Sequence, residues 1–307
     1  MSLLRKLWNQ SPSLTATSLL MMVAFIGALL GMTVDNRTIT GVDAWLKPAK
    51  FGISTAIFSI TIAWLYGYLT PSRTIVRLAS ILSAVLILEV AVIYIQAFRG
   101  TTSHFNIMTP LDGILFSVMG IAILILWLAS IGVFLALWRQ PFTDPAWGWA
   151  LRLGMLITVI GSATGGLMLR TTPEQSAQHR LHLNTGANGG HTVGAKDGGP
   201  GLPGVGWSEE HGDLRIPHFL GLHGVQAIPF LAWFTRRRRN RTAVVITAAT
   251  SYFALAAILL AQALAGESVI HPSVPTLAAL GLWLLCTAVA AILTQWKPGG
   301  LLHGVTA

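Results

Sequence analysis

The chain alternates long apolar runs with short polar stretches. About 20 apolar residues in an α-helix cross a hydrocarbon core of roughly 30 Å. Eight runs approach this length, and they lie at positions 14–34, 51–69, 76–98, 112–138, 150–169, 218–235, 242–264 and 275–296. The pattern predicts an all-α integral membrane protein with about eight transmembrane helices in a single bundle that includes the whole chain, residues 1–307.

The composition favours the same fold class. Only 10% of the residues are charged, against about 25% in an average soluble domain, while 53% are apolar and the mean hydropathy is +0.65. The single cysteine, Cys286, excludes a disulfide framework and any cysteine-rich metal site. The net charge of +9 is typical of membrane chains with cytoplasmic Lys and Arg, so we expect the lipid bilayer, not nucleic acid, as partner.

The positions of Lys and Arg predict the orientation. If the N-terminus is cytoplasmic, 12 of the 20 basic residues fall on the cytoplasmic side, including five of the six residues in the run 236–241. Basic residues in long loops contribute little to this rule, so the four of the other eight that lie in residues 170–217 are discounted. We therefore expect a multi-pass protein of the plasma (inner) membrane with both termini in the cytoplasm.

One long polar segment, residues 170–217, separates the fifth and sixth apolar runs. It contains 10 of the 31 glycines and too few apolar residues for a core of its own. Loops of this length are usually functional lids or disordered linkers. Trp207, the prolines and the direct continuation into the sixth run favour an ordered extracytoplasmic lid.

The histidines are distributed unevenly in this topology. Eight of the nine fall on the extracytoplasmic side, namely His104, His179, His182, His191, His211, His218, His223 and His271, whereas His303 is cytoplasmic. Histidine is the commonest metal ligand and titrates near neutrality. The bias predicts a metal site at the outer face, with His104, His211 and Asp213 as candidate ligands, although long polar loops also collect histidine without function.

Glu89 is an ionisable residue near the middle of the third apolar run. Such a group is costly in a membrane unless it is paired, protonated or faces a water-filled cavity. Gln96 follows seven residues later at nearly the same azimuth, and Arg99 lies one turn further on. This polar stripe predicts a proton-handling or catalytic group formed by Glu89, Gln96 and Arg99. Alternatively, a protonated Glu89 only bonds a neighbouring helix.

The sixth run carries a second polar group, His218, His223 and Gln226, followed by Pro229. These residues are candidates for binding haem or a transition metal. His223 lies about 140° around the helix from His218, so another helix or the loop must complete any coordination shell. The alternative is an interfacial His218 and an interhelical hydrogen bond from His223.

Eight predicted helices, a length just over 300 residues and outer-side histidines resemble, in outline, haem A synthase and other helical-bundle proteins that bind haem b. The Glu-x-x-His-Arg element of that family does not occur on these helices, so the resemblance assigns no ligands.

Two functions therefore remain. The first is a membrane redox protein with a haem or transition metal at the outer histidines and Glu89 handling protons, which the one-sided histidines favour. The second is a proton- or solute-coupled transporter or receptor. In that case Glu89, Gln96 and Arg99 line the path, and the glycine-rich loop acts as a lid.

Overall fold

The computed structural model describes residues 2–183 and 185–295. The described residues form helices α1 Leu3–Gln10, α2 Pro12–Val34, α3 Leu46–Tyr66, α4 Arg73–Phe98, α5 Pro110–Trp138, α6 Pro145–Ala163, α7 Pro173–Arg180, α8 Arg215–Leu222, α9 Gly224–Phe234, α10 Arg241–Leu264 and α11 Val274–Gln295. A 3-10 helix, Thr164–Leu169, continues α6. Two short antiparallel pairs join β1 Thr38–Ile39 to β2 Val42–Asp43, and β3 Thr192–Val193 to β4 Gly212–Asp213.

The helices bear out the predicted class of a multi-pass, all-α membrane protein. Seven are long and apolar enough to cross a membrane: α2, α3, α4, α5, α6 with its continuation, α10 and α11. The sixth predicted run, 218–235, is instead divided into the two shorter helices α8 and α9, which meet at His223. Lys297 and His303, expected in the cytoplasm, lie outside the described residues.

Local sequence explains where several helices begin. Ser72 caps α4 by accepting a hydrogen bond from the Ile75 backbone N–H, and Asp144 caps α6 in the same way through Trp147. Such side chains satisfy N–H groups that have no partner inside the helix. Pro110 and Pro145 occupy the first turns of α5 and α6, where a missing N–H does no harm.

The helices alternate in direction, so their connections gather at two ends of the bundle. The end that we call the loop end carries residues 35–45, 99–109, 170–214 and 265–273. The opposite end, called the arginine end, carries residues 2–11, 67–72, 139–144 and 235–240. Backbone pairing joins Asn106 to Ala187 at the loop end, while an ion pair between Arg241 and Asp144 joins two elements at the arginine end.

The largest apolar core lies in the half of the bundle next to the arginine end. It combines buried side chains of α2 to α6 and α9, including Leu14, Ile62, Leu82, Val133 and Leu151. The loop half has only smaller, separate clusters, such as the one around Trp45. The two halves therefore differ in how completely apolar side chains fill them.

Glycines bring α6 against the pair α8 and α9. A Cβ added at Gly161 would overlap Gly221, and one added at Gly154 would lie 2.8 Å from the Gly224 carbonyl oxygen. Small residues allow such close backbone approach in membrane bundles. This contact fixes the position of the break between α8 and α9.

Candidate functional site

A buried ion pair closes one side of the loop end. Arg99 Nη1 lies 2.6 Å from Asp112 Oδ1, and Asp112 is only 3% exposed. Gln96 Nε2 donates to the same carboxylate at 2.9 Å, and the Gln96 side-chain oxygen accepts from Arg99. Gln96 and Arg99, predicted to act with Glu89, are therefore both bound to Asp112 at the start of α5.

The second feature is a contact between the first turn of α3 and the loop that follows α4. Lys47 Nζ lies 3.0 Å from His104 Nδ1, and Ser103 Oγ lies at the same distance from that nitrogen. An ammonium group can only donate, so Nδ1 accepts and the neutral imidazole carries its proton on Nε2. Lys47 and His104 are both half-buried. No carboxylate of the described residues lies within ion-pair distance of Lys47; Asp197 and Glu89 act on it from further away.

The 170–217 segment brings more charged groups over this contact. Arg215 makes a bidentate ion pair with the buried Asp213, from Nε to Oδ1 at 2.9 Å and from Nη2 to Oδ2 at 2.5 Å. It also donates to the Gly206 carbonyl oxygen. His191 Nδ1 lies 3.1 Å from Asp197. Lys50 Nζ donates to the Val205 carbonyl oxygen at 3.1 Å, so the loop is attached directly to α3.

Two loop-end histidines, His104 and His191, have lowered pKa values. Burial, reinforced by the positive charge of Lys47, keeps the pKa of His104 well below its usual value. Burial and the charge of Arg215 likewise lower the pKa of His191, while Asp197 acts in the opposite direction. Burial alone would raise the pKa of Asp213, but its bonds to Arg215 outweigh that effect and lower it.

Glu89 lies deeper, on α4. The residue is 5% exposed, and its Oε1 has no hydrogen-bond partner among the described residues. The charge of Lys47 acts on it across the bundle. Glu89 therefore makes no hydrogen bond to the network of Gln96, Arg99 and Asp112, and Lys47 is the residue whose charge acts on it.

A polar stripe on α3 leads from Lys47 into the bundle. Ser54 and Thr61 follow Lys47 at intervals of seven residues and therefore lie on the same face of the helix. Thr61 Oγ1 accepts a hydrogen bond from Gln226 of α9 at 3.3 Å. Phe51 and Ile57 of α3, which lie between the Lys50 and Thr61 contacts, are exposed, as is Phe219 of α8. We call the region between α3 and α8–α9 that these two contacts bound the cleft.

The break between α8 and α9 is stabilised by a hydroxyl group. Thr158 of α6 accepts a hydrogen bond from the Val225 backbone N–H at 2.9 Å and donates to the Leu222 carbonyl at 3.2 Å. Backbone groups freed inside a membrane need such partners. His223 lies at the break, packed against Phe219 with ring centroids 4.3 Å apart.

The residues predicted to bind haem or metal do not form one group. His218 Nδ1 lies 3.1 Å from the Gly161 carbonyl oxygen. His223 packs on Phe219 and interacts with the Gln226 side chain, which also donates to Thr61. In the described part of the chain no three His, Cys, Asp or Glu side chains are placed to hold a metal ion, so His104, His211 and Asp213 form no such group. Haem iron takes only one or two protein ligands, so the lack of a three-residue group does not test haem binding. Haem binding stays a prediction, which absorption spectroscopy can check.

Several residues of the site were missed by the sequence analysis. Ser54 and Thr61 were given no role, and Lys47 belongs to the segment 45–51, for which the sequence predicts an interfacial position, with binding of an anionic ligand as the alternative. The seven-residue spacing of these three in an apolar helix was the available signal. His191 and Asp197 had none, because nothing in a long glycine-rich loop tells which residues fold back onto the bundle.

Comparison of the chain with protein-family models, curated proteins and solved structures gave no match. Its function is therefore inferred from the geometry of the site.

Proposed function

We propose that the protein is a membrane transporter or receptor for a small anionic solute, which binds in the cleft at the loop end and is coupled to a proton on Glu89. In the orientation predicted by the basic residues, this end faces outward. The 170–217 segment acts as a lid over the cleft. The pair α8 and α9 forms an eighth, broken crossing.

The observation that carries the proposal is the uncompensated charge of Lys47. Half-buried ammonium groups normally have a carboxylate partner, because an unpaired charge away from water is costly. Here the nearest polar partner of Lys47 is a neutral imidazole. An anion at this position would supply the missing charge.

The neighbouring groups favour the same class of ligand. Lys50 has only a carbonyl oxygen as partner, and Arg215 lies close enough to act on both lysines. Neutral His104 offers an N–H donor at Nε2, and Ser54 offers a hydroxyl. These donors suit a carboxylate or phosphate group, whose oxygens only accept when ionised.

Broken helices support a transport role. Discontinuous helices near the middle of the membrane form solute sites in many secondary transporters. The break at His223 adjoins the deep end of the cleft, where Gln226 meets Thr61. A carboxyl group beside the path, such as Glu89, is a common proton carrier in these proteins.

The proposal is tested by ligand-induced thermal stabilisation of the purified chain. Acetate, succinate and inorganic phosphate are titrated, and the half-maximal concentration for the rise in Tm gives an apparent affinity. We expect at least one anion to bind, and Lys47→Gln to weaken it by about 30-fold or more, because a lost buried charge partner costs about 2 to 5 kcal/mol.

The matched control is Lys196→Gln. Lys196 lies in the 170–217 segment, is paired with Glu174, and its side chain is 71% exposed. This variant should therefore bind the anion as the wild type does. The proposal would be overturned if no anion stabilises the wild type, or if both variants bind with unchanged affinity.

A further inference from the structure

Buried polar atoms without a hydrogen-bond partner are concentrated in one quarter of the molecule. The described residues contain ten such side-chain atoms, and seven of them belong to α1, α2, α3, α4 or the α1–α2 link. Besides Glu89 and Gln10, they are the hydroxyl groups of Ser11, Thr15, Ser59, Tyr66 and Ser83. Each of the five hydroxyl residues is at most 6% exposed.

This arrangement differs from that of other hydroxyl groups in the same bundle. A buried helical serine usually donates to the carbonyl four residues earlier. Ser130 of α5 does so, bonding Leu126 at 2.8 Å, as does Thr17 of α2 with Ser13. Thr15, Ser59 and Ser83 do not. Nearly all buried polar groups in proteins have a partner, and ordered water serves where no protein atom does.

Helix packing brings three of these hydroxyls to one level of the bundle. Ser18 of α2 bonds the Ala56 carbonyl of α3 at 2.9 Å, which fixes the register of the two antiparallel helices. One turn nearer the arginine end, this register places Thr15 at the level of Ser59. Leu82, next to Ser83 on α4, packs in one buried cluster with Leu14, next to Thr15, and with Ala63, one turn after Ser59, so Ser83 lies within about one helical turn of the other two hydroxyls.

The row continues towards both ends. Glu89 lies six residues beyond Ser83 on α4, a rise of about 9 Å towards the loop end. Tyr66 lies seven residues after Ser59 on the same face of α3, about 10 Å nearer the arginine end. Ser11, at the start of α2, and Gln10, which packs against Gly67, complete the row at the surface of that end.

We propose that this row is a hydrated proton path that connects Glu89 to the arginine end. Hydroxyl groups and water both donate and accept, so a proton can move along them by exchange of hydrogen bonds. The step is a simple transfer: the proton leaves the Glu89 carboxyl group, and each relay group releases one proton as it accepts another. The only change of charge is at Glu89.

Glu89 is well placed to exchange protons with this path. Among the helices packed against α4, the spanning part of α2 has no ionisable residue, and the only one on α5, Asp112, is bound to Arg99. On α3, Lys50 is bound to the Val205 carbonyl, and Tyr66 lies near the arginine end as part of the row. Lys47 is the charge that acts on Glu89. An anion bound to Lys47 would screen this charge and favour protonation of Glu89. The use of the path rests on the proposed function, but its conduction does not require a solute.

The test follows the protonation of Glu89 by infrared spectroscopy. The carbonyl stretch of its protonated form is assigned by its loss in Glu89→Gln. The full chain is placed in vesicles, and an N-terminal affinity tag captures those whose arginine end faces the bath. After a rapid pH change in the bath, the carbonyl band of the wild type should change. In the double variant Ser59→Ala, Ser83→Ala, the rate of this change should fall by about tenfold or more, because hydrogen bonds of the relay are lost.

Two further variants make the result decisive. Ser130→Ala removes an equally buried serine that has a carbonyl partner, and it should respond like the wild type. If the double alanine variant does not fold, Ser59→Thr and Ser83→Thr keep the hydroxyls and should conduct, while the single alanine variants are each slowed. The proposed path would be overturned if the wild-type band does not change with the pH of the bath, or if it changes as fast in the alanine variants as in the wild type. Failure of anion binding leaves this readout intact, so the two proposals fail separately.

Discussion

The two halves of the bundle differ in what fills them: apolar side chains in one, charged and polar groups in the other. In the arginine half, side chains of six helices fill one continuous apolar core, interrupted only by the row of buried hydroxyls. In the loop half, charged and polar groups of α3, the 99–109 loop and the 170–217 segment contact each other. Under the proposed function, the solute therefore enters from the loop end, and only protons pass through the arginine half.

Under the proposed transport function, the contrast also predicts which helices must move. Interfaces built on glycine contacts, such as α6 against α8–α9, can slide or rock without repacking large side chains. The core around Leu82 and Val133 is interlocked, so opening the arginine half requires α3, α4 and α5 to separate from α6.

The largest expected effect concerns which half faces the cytoplasm. Reporter fusions after Arg139 and Arg241 should be cytoplasmic, and a fusion between Gly186 and Gly204 should be outside, because the arginine end carries most of the basic residues in short connections. The outcome is all-or-none. An external report from the Arg241 fusion would reverse the comparison and make the cleft a cytoplasmic site.

The next effect separates structural charges in the loop half from surface ones. Asp112→Asn should lower the free energy of unfolding by about 2 to 4 kcal/mol, because the buried, charged acceptor of the hydrogen bonds from Gln96, Arg99 and Thr109 is lost. Glu174→Gln breaks the exposed pair with Lys196 and should cost about 1 kcal/mol or less. Thermal or denaturant unfolding in one detergent measures both. Equal effects would show that burial of the Asp112 pair does not matter.

A smaller loss is expected at the break between α8 and α9. Thr158→Ala leaves the Val225 N–H and the Leu222 carbonyl without their side-chain partner, which should cost about 1 to 3 kcal/mol. Thr158→Ser keeps the hydroxyl and should recover most of that loss. Thr33→Ala, at an exposed hydroxyl bonded within its own helix, is the control. If Thr158→Ala melts like the wild type, the hydroxyl does not support the break.

The smallest effect is a dependence of stability on pH. The pKa values of His104 and His191 are lowered in the folded protein, so the unfolded chain binds more protons as the pH falls below about 6.5. Stability should therefore be fully present above that pH and decrease between about pH 6.5 and 5.5. The Tm of the double variant His104→Gln, His191→Gln should depend less on pH in this window, and an unchanged slope would contradict the assignment.

Much of the fold could be predicted from apolar runs and helix caps. Seven predicted runs correspond to helices within a few residues, because burial in a bilayer requires continuous apolar sequence and internally bonded backbone. The break at His223 was not predicted. An apolar run with Pro229 looks like one helix until Thr158, far away in sequence, is seen to satisfy the freed backbone groups.

The sequence by itself determined that polar and ionisable residues such as Glu89, Gln96 and Arg99 lie within or beside the membrane helices, because a polar residue in an apolar run is visible without any partner. Only the tertiary structure decided how they group: Arg99 and Gln96 with Asp112, Glu89 with Lys47, and Lys47 with His104. Spacing along one helix gives a common face but not what that face meets. The partners come from other helices and from a loop whose fold depends on contacts distant in sequence.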